Sequence, residues 1–210
     1  MKVLLICKEM IAYERTAIML LASNLKSRSH EVKAAVMKEP VVKKKIKKSS
    51  KKPTSLLHSD AYEGKSFTFT NSAHNKSNNG ISEAYENVYN TVKTFQPDLI
   101  GYNVMTGEHY DVLKLNKSLK KDFNFISVMG GPHPTFNKQV IEEDGIDAIC
   151  TGEGDTSFPE FIRRIENQDE YWLTKSFHVK YKDEIYRNSL ETLVPDLNEL
   201  PFPDRQVLYD

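Results

Sequence analysis

Three short stretches combine glycine with polar or ring-bearing residues in ways that could hold a ligand: 104–109 (VMTGEH), 130–135 (GGPHPT) and 152–156 (GEGDT). Gly130 and Gly131 follow the apolar run 125–129 (FISVM) directly. Glycines there can take positive φ and leave room for a bulky group against the backbone. Pro132 and Pro134 bracket a single histidine, His133. A catalytic base needs an oriented partner, and a metal ligand needs companions. Neither is legible beside His133, so the prolines point to positioning of an open loop. Gly152 and Gly154 flank Glu153, a carboxylate placed to bond loop amides or a ligand amide. This Gly-x-Gly lacks the third glycine of a dinucleotide fingerprint, and no Gly-Lys-Ser/Thr phosphate loop occurs. Asp155 and Thr156 are expected to cap the next helix. No serine or cysteine nucleophile motif accompanies His133 and Asp155, which disfavours a hydrolase. The two cysteines, Cys7 and Cys150, are too few to build a zinc site or carry an iron–sulfur cluster alone. They read as small core residues.

Something must carry these loops. Residues 2–6 form a short apolar run, a candidate buried strand. Ala17, Ile18, Leu21, Ala22 and Leu25 then recur at helical spacing over 14–28, and 30–37 reads as a second strand. Strand, helix, strand implies a right-handed parallel crossover. A helix is expected over 81–95, stopped by Pro97. Further strands are expected at 98–103, 124–129 and 147–151, with helices at 110–121, 136–144 and from Thr156. Five such units argue for an α/β fold with a doubly wound parallel sheet. All three suspicious loops fall at the carboxyl ends of strands, where such sheets bind ligands.

Hydrophobic content of 39% and zero formal net charge suit a globular protein and give no global pull toward nucleic acid or anionic lipid. No apolar run approaches the ~20 residues that span a bilayer. The amino terminus lacks a signal peptide's long apolar core, so a cytoplasmic location is expected. Residues 43–80 interrupt the pattern. They open with KKKIKKSSKK, without the interleaved aromatics of a nucleic-acid surface, and read as a solvated insertion, with 65–70 alternating as a small strand. Beyond residue 168, FHVKYKDEIYRN reads as a β-hairpin and the Pro-rich remainder as an extended linker. The expected organisation is therefore a domain over 1–168 and a hairpin with linker over 169–210.

PDLIGYNVMT, VMGGPHPT, GIDAICTGEGDTSFPEFI and LNELPFPDR, in that order, resemble the N-terminal half of cobalamin-binding radical SAM proteins. The resemblance covers most of the chain outside the insertion. It implies a flavodoxin-like fold holding cobalamin (B12) over the strand ends. Met105, Thr106 and Gly107 would face the lower side of the corrin. Gly130, Gly131, Pro132, His133 and Pro134, with Gly152, Glu153 and Gly154, would line the nucleotide tail. Members that supply a histidine to cobalt carry Asp-x-His-x-x-Gly. This chain has Gly107-Glu108-His109-Tyr110-Asp111 in the corresponding loop, so a base-off, His-off mode is implied, with His109 an outside candidate for cobalt. The Cys-x-x-x-Cys-x-x-Cys motif that holds an iron–sulfur cluster and S-adenosylmethionine is absent. Those cofactors would belong to a radical SAM domain in cis or trans. The implied function is the cobalamin-binding part of a B12-dependent methyltransferase. The alternative is a flavodoxin-like module for another ligand or protein partner, without catalysis of its own.

Overall fold

The computed structural model describes residues 1–8, 16–37 and 85–209. The expected insertion at 43–80, its small strand and the start of the 81–95 helix lie outside the described residues. Along the chain run β1 (Lys2–Lys8), α1 (Thr16–Lys26), β2 (Glu31–Met37), α2 (Glu86–Phe95), β3 (Leu99–Asn103), α3 (His109–Leu119) and β4 (Ile126–Gly130). α4 (Pro132–Phe136), β5 (Ala148–Cys150), α5 (Ser157–Glu166), β6 (Phe177–Tyr181) and β7 (Glu184–Arg187) follow.

The strands form one sheet in the order β2-β1-β3-β4-β5-β6-β7. β1 to β5 are parallel, and β6 and β7 are antiparallel additions at the β5 edge. The chain goes outward from β1 to β2, then returns across β1 to β3. This is the flavodoxin-like order, and its switch point lies between β1 and β3.

β1 is apolar at nearly every position because both its faces are covered. Val3, Leu5 and Cys7 pack with Ile18 and Leu25 of α1 and with Phe158, Phe161 and Ile162 of α5. Leu4 and Ile6 pack on the other face with Val88 and Val92 of α2 and with Val112, Leu115 and Leu119 of α3. The second face also buries the Tyr102 hydroxyl, which donates to Asn116 Oδ1 at 3.0 Å, while Asn116 Nδ2 donates to the Gly145 carbonyl at 2.7 Å.

Two local expectations change. The stretch 130–135 is not an open loop: Pro132 starts the short helix α4, where its fixed φ and missing N–H suit the first turn. The helix expected over 136–144 is instead a turn of 3-10 helix at Lys138–Glu142, set off from α4 by Asn137. The hairpin forms as expected and continues the main sheet. Phe177 of β6 stacks on Phe161 of α5, with ring centroids 4.2 Å apart and planes 9° apart. The segment after β7 runs back across α1. Asp204 N–H donates to the Met19 carbonyl, Lys26 pairs with Asp204 at 2.7 Å, and Val207 is 1% exposed in the α1/α5-side core.

Candidate functional site

A cavity of about 800 Å³ opens at the carboxyl ends of β1, β3, β4 and β5, on the face covered by α1 and α5. Its floor is Leu5, Gly101, Val128 and Cys150, one residue from each of four adjacent strands. Ala17, Ile18, Leu20 and Leu21 of α1 make one wall, and Phe158 of α5 closes the base. Gly130, Gly131, Pro132, Thr135 and Phe136 form one rim, and Gly152 to Asp155 form another, with Met105 beside them.

Backbone geometry fixes these rims. Gly131 has φ of +93°, and a Cβ there would press into Asn103 Oδ1 and lie 3.0 Å from Val104 N. The glycine therefore serves the turn from β4 into α4. The Thr135 hydroxyl donates to the Gly131 carbonyl at 2.9 Å and accepts the Gly152 N–H at 3.0 Å, so one side chain ties the two rims together. On the α1 side, buried Asn24 donates Nδ2–H to the Asp155 carbonyl at 2.6 Å. Gly154 differs from Gly131. Its φ is not positive, and a Cβ there would make only van der Waals contact, 3.6 Å from Leu21 Cδ2 and 3.7 Å from Cys150 Sγ. A larger side chain at 154 would grow into the cavity.

Of the residues singled out from sequence, Met105, Gly130, Gly131, Pro132, Gly152, Glu153 and Gly154 line the cavity, whereas Thr106, Gly107, His133 and Pro134 do not. His133 is 2% exposed, with neither ring nitrogen hydrogen-bonded, and it stacks on His109 at 4.2 Å with planes 14° apart. Burial, and secondarily the neighbouring His109, lower its pKa, which keeps the ring neutral. His109 Nδ1–H donates to the Thr106 carbonyl at 2.7 Å, which bends the 105–109 turn back on itself.

The expected cap of α5 takes another form. Thr156 occupies the N-cap position without a side-chain cap, and the Ser157 hydroxyl donates to the Glu153 carbonyl at 3.2 Å. Asp155 lies on the cavity rim with no side-chain hydrogen bond among the described residues, its pKa raised by burial. Cys150 is a core residue as expected and also floors the cavity. Burial pushes its thiol up to about 12, so it is an apolar wall and not a nucleophile.

Sequence reasoning missed the contribution of α1. A signal was present: residues 17–22 (AIMLLA) are apolar without a break, more than one core-facing stripe requires. Ile18 and Ala22 serve the core, while Leu20 and Leu21 remain partly exposed toward the cavity.

Among the described residues, no group of three or more His, Cys, Asp or Glu is arranged to hold a metal ion, and no helix is long and apolar enough to cross a membrane. The family model for the B12-binding domain matches residues 63–162, a span that holds α2, β3 to β5, α3, α4, the first part of α5 and both rims. An uncharacterized methyltransferase of Pyrococcus horikoshii, PH0819, is 27% identical over 136 residues, which are 61% of this chain and 29% of that protein. The solved structure of the cobalamin-dependent S-adenosylmethionine radical enzyme OxsB, with aqua-cobalamin and S-adenosylmethionine bound, superposes with a TM-score of 0.63 at 17% identity. It covers 97% of this chain and 24% of that one. The radical S-adenosylmethionine methyltransferase TsrM from Kitasatospora setae superposes with a TM-score of 0.55 at 13% identity, over 89% of this chain and 30% of that one. The chain thus spans less than a third of each of these relatives. Residues 63–162 match the B12-binding domain family, and the fold of the chain resembles that of the matching parts of these two cobalamin-dependent and radical S-adenosylmethionine enzymes.

Proposed function

We propose that this chain is the cobalamin-holding part of a radical SAM methyltransferase, with the nucleotide tail of a base-off cobalamin in the cavity under α1 and the corrin over the strand ends. The observation that carries the reading is the cavity itself: largely apolar, about 800 Å³, beside the switch point, with both rims inside the B12-binding match and Leu5 and the α1 wall outside it. Its volume falls in the range of small-molecule sites. Leu21, Val128, Cys150 and Phe158 would exclude water from an aromatic base, and the hydrogen-bonded rims at Gly131, Thr135 and Gly152 would hold the mouth open. Met105, with Thr106 and Gly107, would face the underside of the ring. Bound cobalamin would supply the methyl-carrying chemistry, which protein groups place but do not perform. The iron–sulfur cluster, S-adenosylmethionine and the methyl acceptor would be held by a radical SAM domain in cis or trans, reached through the 189–209 segment.

His109 is not a cobalt ligand in this reading, which rests on the missing Asp-x-His-x-x-Gly pattern; its Nδ1–H donates to the Thr106 carbonyl, and Nε2 is the nitrogen that a rival His-on mode would use. The test is gel filtration of the chain mixed with hydroxocobalamin. Wild type co-elutes with a base-off spectrum that His109→Ala leaves unchanged. Gly154→Val keeps the fold and loses the corrinoid. Undiminished binding by Gly154→Val would remove the tail from this cavity, and a changed spectrum in His109→Ala would make His109 the lower ligand.

A further inference from the structure

Two carboxylates, Glu153 and Asp155, belong to the cavity rim, and no arginine, lysine or histidine lines that cavity among the described residues. Neither carboxylate has a hydrogen-bond or ion-pair partner among them. The Asp155 backbone is nevertheless fixed: its carbonyl accepts from buried Asn24 at 2.6 Å, and Asn24 Oδ1 in turn accepts Arg28 Nε–H at 3.0 Å. The carboxyl is not a helix cap, because α5 begins at Ser157 behind Thr156 with no side-chain cap. The carboxyl is half-buried on the rim, so solvent can reach it in the free protein, and a ligand that displaces that solvent has to supply a donor in its place.

We infer that Asp155 is a specificity-determining acceptor, taking a hydrogen bond from a neutral O–H or N–H donor of the bound corrinoid; this rests on the reading of the cavity as the corrinoid site. Two groups of a cobalamin have that chemistry: the ribose hydroxyls of the nucleotide and the carboxamides of the corrin. The anionic phosphate does not, and it is repelled from this wall by Glu153 and Asp155 together. Asp155 therefore orients the ligand with its donors toward the 152–155 rim. Burial raises its pKa, so the contact is lost at a higher pH than it would be for an exposed aspartate: protonation converts the acceptor into a neutral acid, and affinity falls.

The experiment compares cobalamin with cobinamide, which keeps the carboxamides and lacks the nucleotide. Equilibrium titrations would use wild type, Asp155→Ala and Asp155→Asn, with thermal unfolding to confirm that each variant folds. Asp155→Ala is expected to weaken cobalamin binding by about tenfold, the low end for a hydrogen bond to a charged group. Asp155→Asn, which retains a neutral acceptor, restores part of the loss. Loss for cobalamin alone assigns the donor to the ribose. Equal loss for both ligands assigns it to a carboxamide. Unchanged affinity of Asp155→Ala for both ligands, or tighter cobalamin binding from relief of repulsion with phosphate, overturns the inference. Absence of corrinoid binding by folded wild type would instead overturn the reading of the cavity.

Discussion

Gly131 and Gly154 sit on neighbouring rims, yet a side chain would do different things at each. At Gly131 the positive φ and the contacts with Asn103 and Val104 leave no space for a Cβ. Gly131→Val should therefore act on the fold, costing on the order of 2 kcal/mol or more through backbone strain and overlap, read as a lowered midpoint in urea. A variant of unchanged stability would contradict the role given to this turn. The glycine pair was legible in the sequence as a place of backbone freedom. Its division of labour was not, because that depends on Asn103, 28 positions away in the chain and brought alongside by the β3–β4 register. His133 is the converse case. A histidine between two prolines looks like an exposed loop residue, but Pro132 begins a helical turn whose first residues fold inward, and the ring ends up buried on His109.

At the scale of elements, the parallel units were readable because each strand is a short apolar run and each helix shows a 3.6-residue repeat. α4 and the 3-10 turn after it were misjudged since five-residue helices leave too little periodicity to detect. The last 20 residues illustrate another limit. PFPDRQVLY reads as a linker by composition, yet it straps α1 through Asp204 and buries Val207 against the sheet. Burial of one valine cannot be seen in a Pro-rich stretch, since its partners lie in α1 and β2. Val207→Asp would place a carboxylate in an apolar core and should destabilise the protein by roughly 3 kcal/mol, seen as a drop in Tm. Because the strap lies on α1, the same variant is expected to loosen the cavity wall and weaken cobalamin binding. A Val207→Asp protein with wild-type Tm would show that the strap is not part of the fold.

Across the whole molecule, acid should weaken the fold before carboxylates protonate. His30, His133 and His178 all have pKa values lowered from 6.5, in each case chiefly by burial. A histidine with a depressed folded pKa binds fewer protons than its unfolded counterpart. Stability is thus highest above 6.5 and declines as pH falls below it. Glu160 is held down to about 2, first by its hydrogen bond from Arg163. Its contribution is present above its ordinary 4.5 and lost only as pH falls toward 2, so it is constant between pH 7.5 and 5. Asp155, raised by burial, works in the opposite sense to the histidines. Tm should fall from pH 7.5 to 5, and His133→Phe, which keeps a ring against His109, should flatten the decline; a flat wild-type profile would count against neutral buried histidines. The central claim remains that the apolar space between α1 and the strand ends is built for a corrinoid. Equilibrium titration of the purified chain with hydroxocobalamin, followed by visible absorbance, tests it most directly. Saturation at about one corrinoid per folded chain is the predicted result; a folded chain that takes up none would contradict it.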